Sequence, residues 1–184
     1  MRAFIAFEAG ECAAVANSIQ KELSKSGAKM TFPGEFHVTL AFFDDIEERY
    51  MKKMHENLSK EDRPPKFTVT TKGISFFPDE ERPKVVWIGL DAYPKEGCQW
   101  LKMFMDEGLK KTNLGYAIDR KEFTPHITVA RVKEGKIEEE IKQKIAAISK
   151  NIRIEFKVDR IHIFKSTLTQ TGPLHEKIYS VELS

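Results

Sequence analysis

The sequence predicts an α+β fold. It is bilobal, with two mainly antiparallel sheets related by a pseudo-two-fold axis around a central cleft and helices on the outer faces. Three observations carry this. Two segments read almost alike, His37-Val38-Thr39-Leu40 and His126-Ile127-Thr128-Val129, 89 residues apart in a chain of 184. The order strand, helix, His-x-Thr strand, helix, strand of the first half returns from about residue 85. No low-complexity linker separates the halves. Residues 1–184 are therefore expected to form a single bilobal domain with an internal duplication.

The elements follow from periodicity. Residues 2–8 read as a strand. Residues 11–25 read as a helix, with Ala14, Val15, Ile19 and Leu23 at helical spacing and Gly27 as a stop. Residues 35–43 form the first His-x-Thr strand. A helix over 46–58 carries Ile46, Tyr50, Met54 and Leu58, and Arg63-Pro64-Pro65 breaks the chain after it. Strands over 67–76 and 84–91 flank a proline-bracketed loop, Phe77 to Pro83. A helix over 96–112 presents Trp100, Leu101, Phe104 and Leu109. After Pro125 comes the second His-x-Thr strand, 126–132, then a helix over 137–149. Strands over 152–158, 160–166 and 178–183 end the chain.

The composition is that of an ordinary soluble domain, 41% apolar and 32% charged. No apolar run reaches membrane-spanning length. Met1 to Glu8 is strand-like and lacks the features of a signal peptide, so a cytoplasmic location is expected, with no membrane partner. The net charge of +2 does not by itself signal nucleic-acid binding. Cys12 and Cys98 are too few for a disulfide framework or a zinc site. Both stand near the start of a helix, where a thiol pKa can be lowered, but small buried residues in matching places are the simpler reading.

On a strand, residues i and i+2 face the same way. Each motif thus sets a His and a Thr on one face and two apolar residues on the other. With 5 histidines in the chain, one His-x-Thr triplet is unremarkable; two, with matching apolar positions, are not. Two imidazoles can divide acid and base work on a cyclic phosphate at an RNA end. One activates water and the other gives a proton to the departing ribose oxygen. The threonine hydroxyls can donate to non-bridging phosphate oxygens. No metal is needed and no cofactor is expected: metal-ligand spacing, a nucleophile elbow and a glycine-rich phosphate loop are all missing from the sequence.

The other candidates have plainer readings. His55 reads as solvent-exposed and His162 as structural, while His175, in a loop after Gly172-Pro173, could touch substrate. Among Phe76, Phe77, Trp87 and Phe123, one or two could stack a base, and the rest read as core. Arg131, Lys84 and Lys165 are candidate phosphate contacts. Strict alternation turns Arg131 away from His126 and Thr128 unless a bulge intervenes.

These motifs resemble the two-histidine (2H) phosphoesterase superfamily and, within it, the RNA 2′,3′-cyclic phosphodiesterases, also called 2′-5′ RNA ligases. The resemblance runs through Met1 to Ala6, Phe36 to Leu40, Gly73 to Pro78, Arg82 to Gly89, Phe123 to Arg131 and Gly172-Pro173. It implies conversion of RNA 2′,3′-cyclic phosphate ends to 2′-phosphomonoesters, and for some relatives reversible ATP-independent joining of tRNA halves through a 2′-5′ bond. By match to the motifs, His37 is the proton donor and His126 the proton acceptor, with Thr39 and Thr128 holding phosphate; Arg131 is kept with them as a substrate-binding residue. His175 departs from the resemblance, which leads one to expect an aromatic residue there, usually Tyr. A monomer acting on RNA is expected. Two alternatives stay open: a phosphodiesterase of small cyclic nucleotides, and a non-catalytic RNA-binding module.

Overall fold

The computed structural model describes residues 1–114, 123–170 and 172–184. Its elements in chain order are β1 (Arg2–Glu8), α1 (Ala13–Leu23), β2 (Lys29–Thr31), β3 (His37–Phe43), α2 (Glu48–Lys60), β4 (Phe67–Phe77) and β5 (Val85–Tyr93). Then come α3 (Gly97–Lys110), β6 (His126–Glu134), α4 (Glu139–Asn151), β7 (Glu155–Val158), β8 (Arg160–Thr169) and β9 (Gly172–Glu182). The strands form two sheets, ordered β3-β1-β8-β9 and β2-β6-β5-β4-β7. Every pairing is antiparallel.

Each sheet takes strands from both halves of the chain. β1 and β3 pair with each other, but the strand after α2, β4, joins β5 in the other sheet. In return β8, from the second half, pairs with β1. The lobes are therefore interleaved, and one apolar core runs through residues of both sheets. Phe7 of β1 meets Phe67 of β4 edge-on within it, ring centres 6.4 Å apart. The helices supply the rest of that core through faces spaced for the purpose. Val15, Ala16, Ile19 and Leu23 are buried on α1, Met51, Met54 and Leu58 on α2. On α3 the inward face includes Cys98, Leu101, Phe104, Met105 and Leu109, while Trp100, expected there, is partly exposed.

The halves correspond in backbone detail. In the β1–β3 pair Ile5 faces Ala41 and Ala6 faces Thr39, so Leu40 is an extra residue. In the β5–β6 pair Val86 faces Ala130 and Trp87 faces Thr128, so Val129 is extra. Each motif strand thus bulges one residue after its threonine, and two consecutive residues turn inward: Leu40-Ala41 and Val129-Ala130 are all buried. The bulge re-phases the alternation. Five residues after each motif histidine, Phe42 and Arg131 come back to the exposed face.

A bulge leaves backbone groups outside the ladder, and buried ones need partners. The Gln20 side chain, on α1, donates to the Val129 carbonyl at 3.0 Å and to the Pro33 carbonyl at 2.9 Å. The loop between β4 and β5 is closed in the same local way. Asp79 accepts the backbone N–H groups of Glu81 and Arg82, and the Lys84 N–H reaches the Phe77 carbonyl.

We expect Gln20→Leu to destabilise the fold by about 1–3 kcal/mol, the usual cost of stranding partly buried acceptors. Urea denaturation would show a lowered midpoint; an unchanged midpoint would mean that other donors replace the glutamine.

Candidate active site

Residues paired across an antiparallel ladder point to the same side. On the first sheet His37 lies opposite Glu8, Thr39 opposite Ala6, and Ala6 opposite His162. The next row is Phe42, Phe4 and Phe164. The His37 imidazole stacks on Phe4 at 4.8 Å between centres, and Phe4 stacks on Phe164 at 4.7 Å. Phe4, Ala6 and Phe164 form a small buried apolar cluster apart from the main core. His175 of β9 meets Phe4 edge-on at 4.8 Å and His37 edge-on at 5.7 Å.

The second sheet repeats this layout with different residues. His126 lies opposite Gly89, Thr128 opposite Trp87 and Arg131 opposite Val85. Phe77 and Trp87 stack at 4.5 Å, and the His126 ring sits edge-on to them at 5.1 and 5.7 Å. His126 Nδ1 is 2.8 Å from the Thr124 carbonyl. A carbonyl only accepts, so Nδ1 carries the hydrogen. In the neutral ring Nε2 is then left with a free lone pair, the form a base requires.

Both rings are held below the ordinary histidine range. Burial pushes His37 down to about 4, helped by His175, Arg131 and His126 and opposed by Glu8. Burial also lowers His126; the Thr124 carbonyl works against this, and Arg131 adds to it. Arg131 acts on both imidazoles, in keeping with the bulge that returns it to the cleft face.

His37 and His126 are near enough for charge on one to act on the other, but they do not stand on adjacent central strands, as strand parity alone suggests. β3 is the edge of its sheet, and β6 lies inside the other between β2 and β5. The two strands approach one another without pairing. Lys165 is a second correction: it pairs with Ala3, on the side facing the main core, and so is turned from the cleft. His55 is half-buried and stacks on Tyr179 at 4.8 Å rather than standing in solvent. Of the four aromatics considered for stacking, Phe77 and Trp87 reach the site, while Phe76 and Phe123 pack against the core. Burial raises both the Cys12 and Cys98 thiols to about 12, outweighing any helix-start effect. Among the described residues no three His, Cys, Asp or Glu side chains cluster so as to hold a metal ion, and no helix is long and apolar enough to cross a membrane.

Sequence reasoning missed Phe4, Phe164 and Glu8. The available signal was β1 itself: Phe4 and Ala6 are apolar on the face opposite Ala3, Ile5 and Phe7, so both faces of that strand had to be covered.

The family model for the 2′-5′ RNA ligase superfamily matches residues 35–170, which include both motifs. The chain belongs to this superfamily. It is 31% identical to an RNA 2′,3′-cyclic phosphodiesterase of Thermotoga maritima, over 99% of this chain and 95% of the relative. It is 33% identical to one of Aquifex aeolicus, over 95% and 93%. The fold matches the crystal structure of TT0787 of Thermus thermophilus with a TM-score of 0.77 at 21% identity, covering 100% of this chain and 98% of that one. It also matches E. coli LigT complexed with 3′-AMP, with a TM-score of 0.69 at 18% identity and the same coverage. In this superfamily member burial favours the neutral form of both motif histidines in the free protein.

That neutrality has a thermodynamic consequence. A histidine whose folded pKa lies below its unfolded value of about 6.5 leaves the unfolded chain binding more protons between the two values. Its stabilising effect is complete above the unfolded pKa and is lost as pH falls towards 4. We expect denaturation midpoints to drop over that window and the drop to be shallower in His37→Gln. Equal slopes in the two proteins would mean that His37 titrates normally.

Proposed function

We propose that this protein hydrolyses RNA 2′,3′-cyclic phosphate ends to 2′-phosphomonoesters by acid–base catalysis between His37 and His126. The observation that carries the reading is the approach of two half-buried imidazoles, one from each sheet and near enough for charge on one to act on the other, each backed by a stacked aromatic pair. A binding module has no need of two imidazoles kept neutral at such a cost. The names of the relatives support the choice of substrate class.

In this reading the cyclic phosphate lies between the rings. His126 Nε2 takes a proton from water as its oxygen attacks phosphorus. The bond from phosphorus to the 3′ oxygen breaks, and His37 protonates that oxygen. The 2′ oxygen keeps the phosphate. Thr39 and Thr128, one step along each strand on the cleft face, donate hydroxyls to the non-bridging oxygens as charge builds there. Arg131 adds a cation beside the same oxygens. If the 5′-hydroxyl of a second RNA replaces water, the same proton transfers form a 2′-5′ bond, the reaction expected with tRNA halves. One chain carries both motifs, so the site is complete in a monomer. The steps call on no metal or cofactor.

An acid must hold its proton, and in the free protein His37 does not hold one at neutral pH. The anionic phosphate supplies the missing interaction: an opposite charge within a few ångströms raises an imidazole pKa. The basic limb of the kcat profile should therefore lie at higher pH than that of the kcat/KM profile, since the first reports the complex and the second the free enzyme. Coincident basic limbs would remove substrate-assisted protonation.

His37→Ala and His126→Ala should each lower kcat at least ~10²-fold, and Thr39→Val and Thr128→Val somewhat less. The assay uses RNA ending in a 2′,3′-cyclic phosphate and separates 2′- from 3′-phosphate products, with and without excess EDTA. Near-normal turnover by either histidine variant, a 3′-phosphate product or loss of activity in EDTA would each overturn part of the proposal.

A further inference from the structure

We propose that Glu8 is the positioning charge that lets His37, rather than His126, carry the proton in the reaction. The inference rests on the reading above. It begins from a difference between the two matched halves. Glu8 pairs with His37 across the β1–β3 ladder, and the corresponding partner of His126 across the β5–β6 ladder is Gly89. The bulges align the two registers residue for residue. A carboxylate thus stands across the ladder from one motif histidine, while across from the other is a glycine overlain by the Lys72 and Trp87 side chains, with no carboxylate.

Glu8 is anchored as a carboxylate. Lys177 Nζ donates to its Oε1 at 2.9 Å, and His162 Nε2 lies 3.2 Å from its Oε2. The other ring nitrogen of His162, Nδ1, is 2.7 Å from Ser180 Oγ. Neutral His162 satisfies both contacts: the Ser180 hydroxyl donates to Nδ1, and Nε2–H donates to Glu8. His162 is only 6% exposed, and its burial favours that neutral form. Lys177 foremost holds the Glu8 carboxyl below the usual carboxylate range. The half-exposed carboxylate therefore keeps its charge and its place at neutral pH.

The charged and titratable groups acting on His37 come from three strands: Glu8 on β1, His175 on β9, and Arg131 and His126 on β6. Among these described groups Glu8 is the one anion. The rest are cationic or become so on protonation, and they push the proton off His37. Arg131 and burial also lower His126, which has no facing carboxylate. In the open cleft burial prevails over Glu8. When substrate excludes water, the Glu8 charge is screened less and acts together with the phosphate on the same ring. The proton then rests on the imidazole beside the leaving oxygen, and the ring beside Gly89 stays free to accept one. Glu8 touches no reacting atom in this scheme and acts through His37.

The test compares Glu8→Gln with Lys177→Met, both at half-exposed side chains. The His37 ring is titrated by NMR in each, alongside turnover of RNA with a 2′,3′-cyclic phosphate end on the alkaline side of the optimum. Glu8→Gln should move the His37 titration about half to one pH unit lower, and the alkaline rate should fall roughly 3- to 10-fold with it. Lys177→Met leaves Glu8 less neutralised and should move both in the opposite direction. A network with a merely structural role would lower kcat without moving the titration. An unmoved His37 titration in Glu8→Gln overturns the inference and leaves the two-histidine reading intact. A titration that moves while the alkaline rate does not follow overturns the assignment of His37 as proton donor.

Discussion

The extra residue in each motif strand is the constraint on which the site depends. A regular strand alternates strictly, so a histidine, a threonine and a residue five positions past the histidine cannot share a face. The bulges at Leu40 and Val129 break that rule once in each half. They let two consecutive small or branched apolar residues close the core, and they bring position five back to the cleft. Without the bulge in β6, the Arg131 guanidinium would turn towards Ile127 and Val129 in the core, an uncompensated burial that costs several kcal/mol. Gln20 completes the device by occupying the Val129 carbonyl that the irregular ladder leaves over.

On this matched backbone the side chains are unlike. Glu8 in one half answers to Gly89 in the other, and Phe42 answers to Arg131. The stacked platforms differ as well, Phe4 on Phe164 beneath one histidine and Phe77 on Trp87 beside the other. The platforms fix ring orientation and remove water, and the same burial lowers both imidazole pKa values. A symmetric pair of neutral histidines offers two bases and no acid. In the proposed reaction the unequal charges around them separate the roles, as its two oxygens, attacking and leaving, require.

Much of this was legible in the sequence, because period-two and period-3.6 patterns survive wherever one face is buried. All four helices and the motif strands were placed to within a few residues. β2 was missed: three residues at a sheet edge carry no periodic signal. β9 begins at Gly172, well before the expected 178, because its first half pairs with β8 beyond the core and its residues are largely exposed. The pairing of strands was illegible for a different reason. Exchange of β4 and β8 between sheets leaves the local pattern of each strand unchanged, so adjacency in the repeat does not imply adjacency in a sheet. His37 and His126 could be found because the repeat marks them twice. Glu8, Phe4 and His175 each occur in one half only, and nothing but the register brings them to His37.

The exchange of strands also bears on how the cleft behaves. Two lobes joined by a linker can open like a hinge, and the distance between facing catalytic groups then varies with the hinge. Here β4 carries the first half of the chain into the second sheet, and β8 carries the second half into the first. Separating the sheets would break the continuous core, including the Phe7–Phe67 contact between β1 and β4. The span from His37 to His126 is thus set by packing, which resists change far more than a linker does. A rigid span is what in-line displacement asks of an acid and a base on opposite sides of one phosphorus atom. In the proposed reaction, adaptation to different RNA ends would fall to exposed side chains such as Phe42 and Arg131, while the two imidazoles keep their separation.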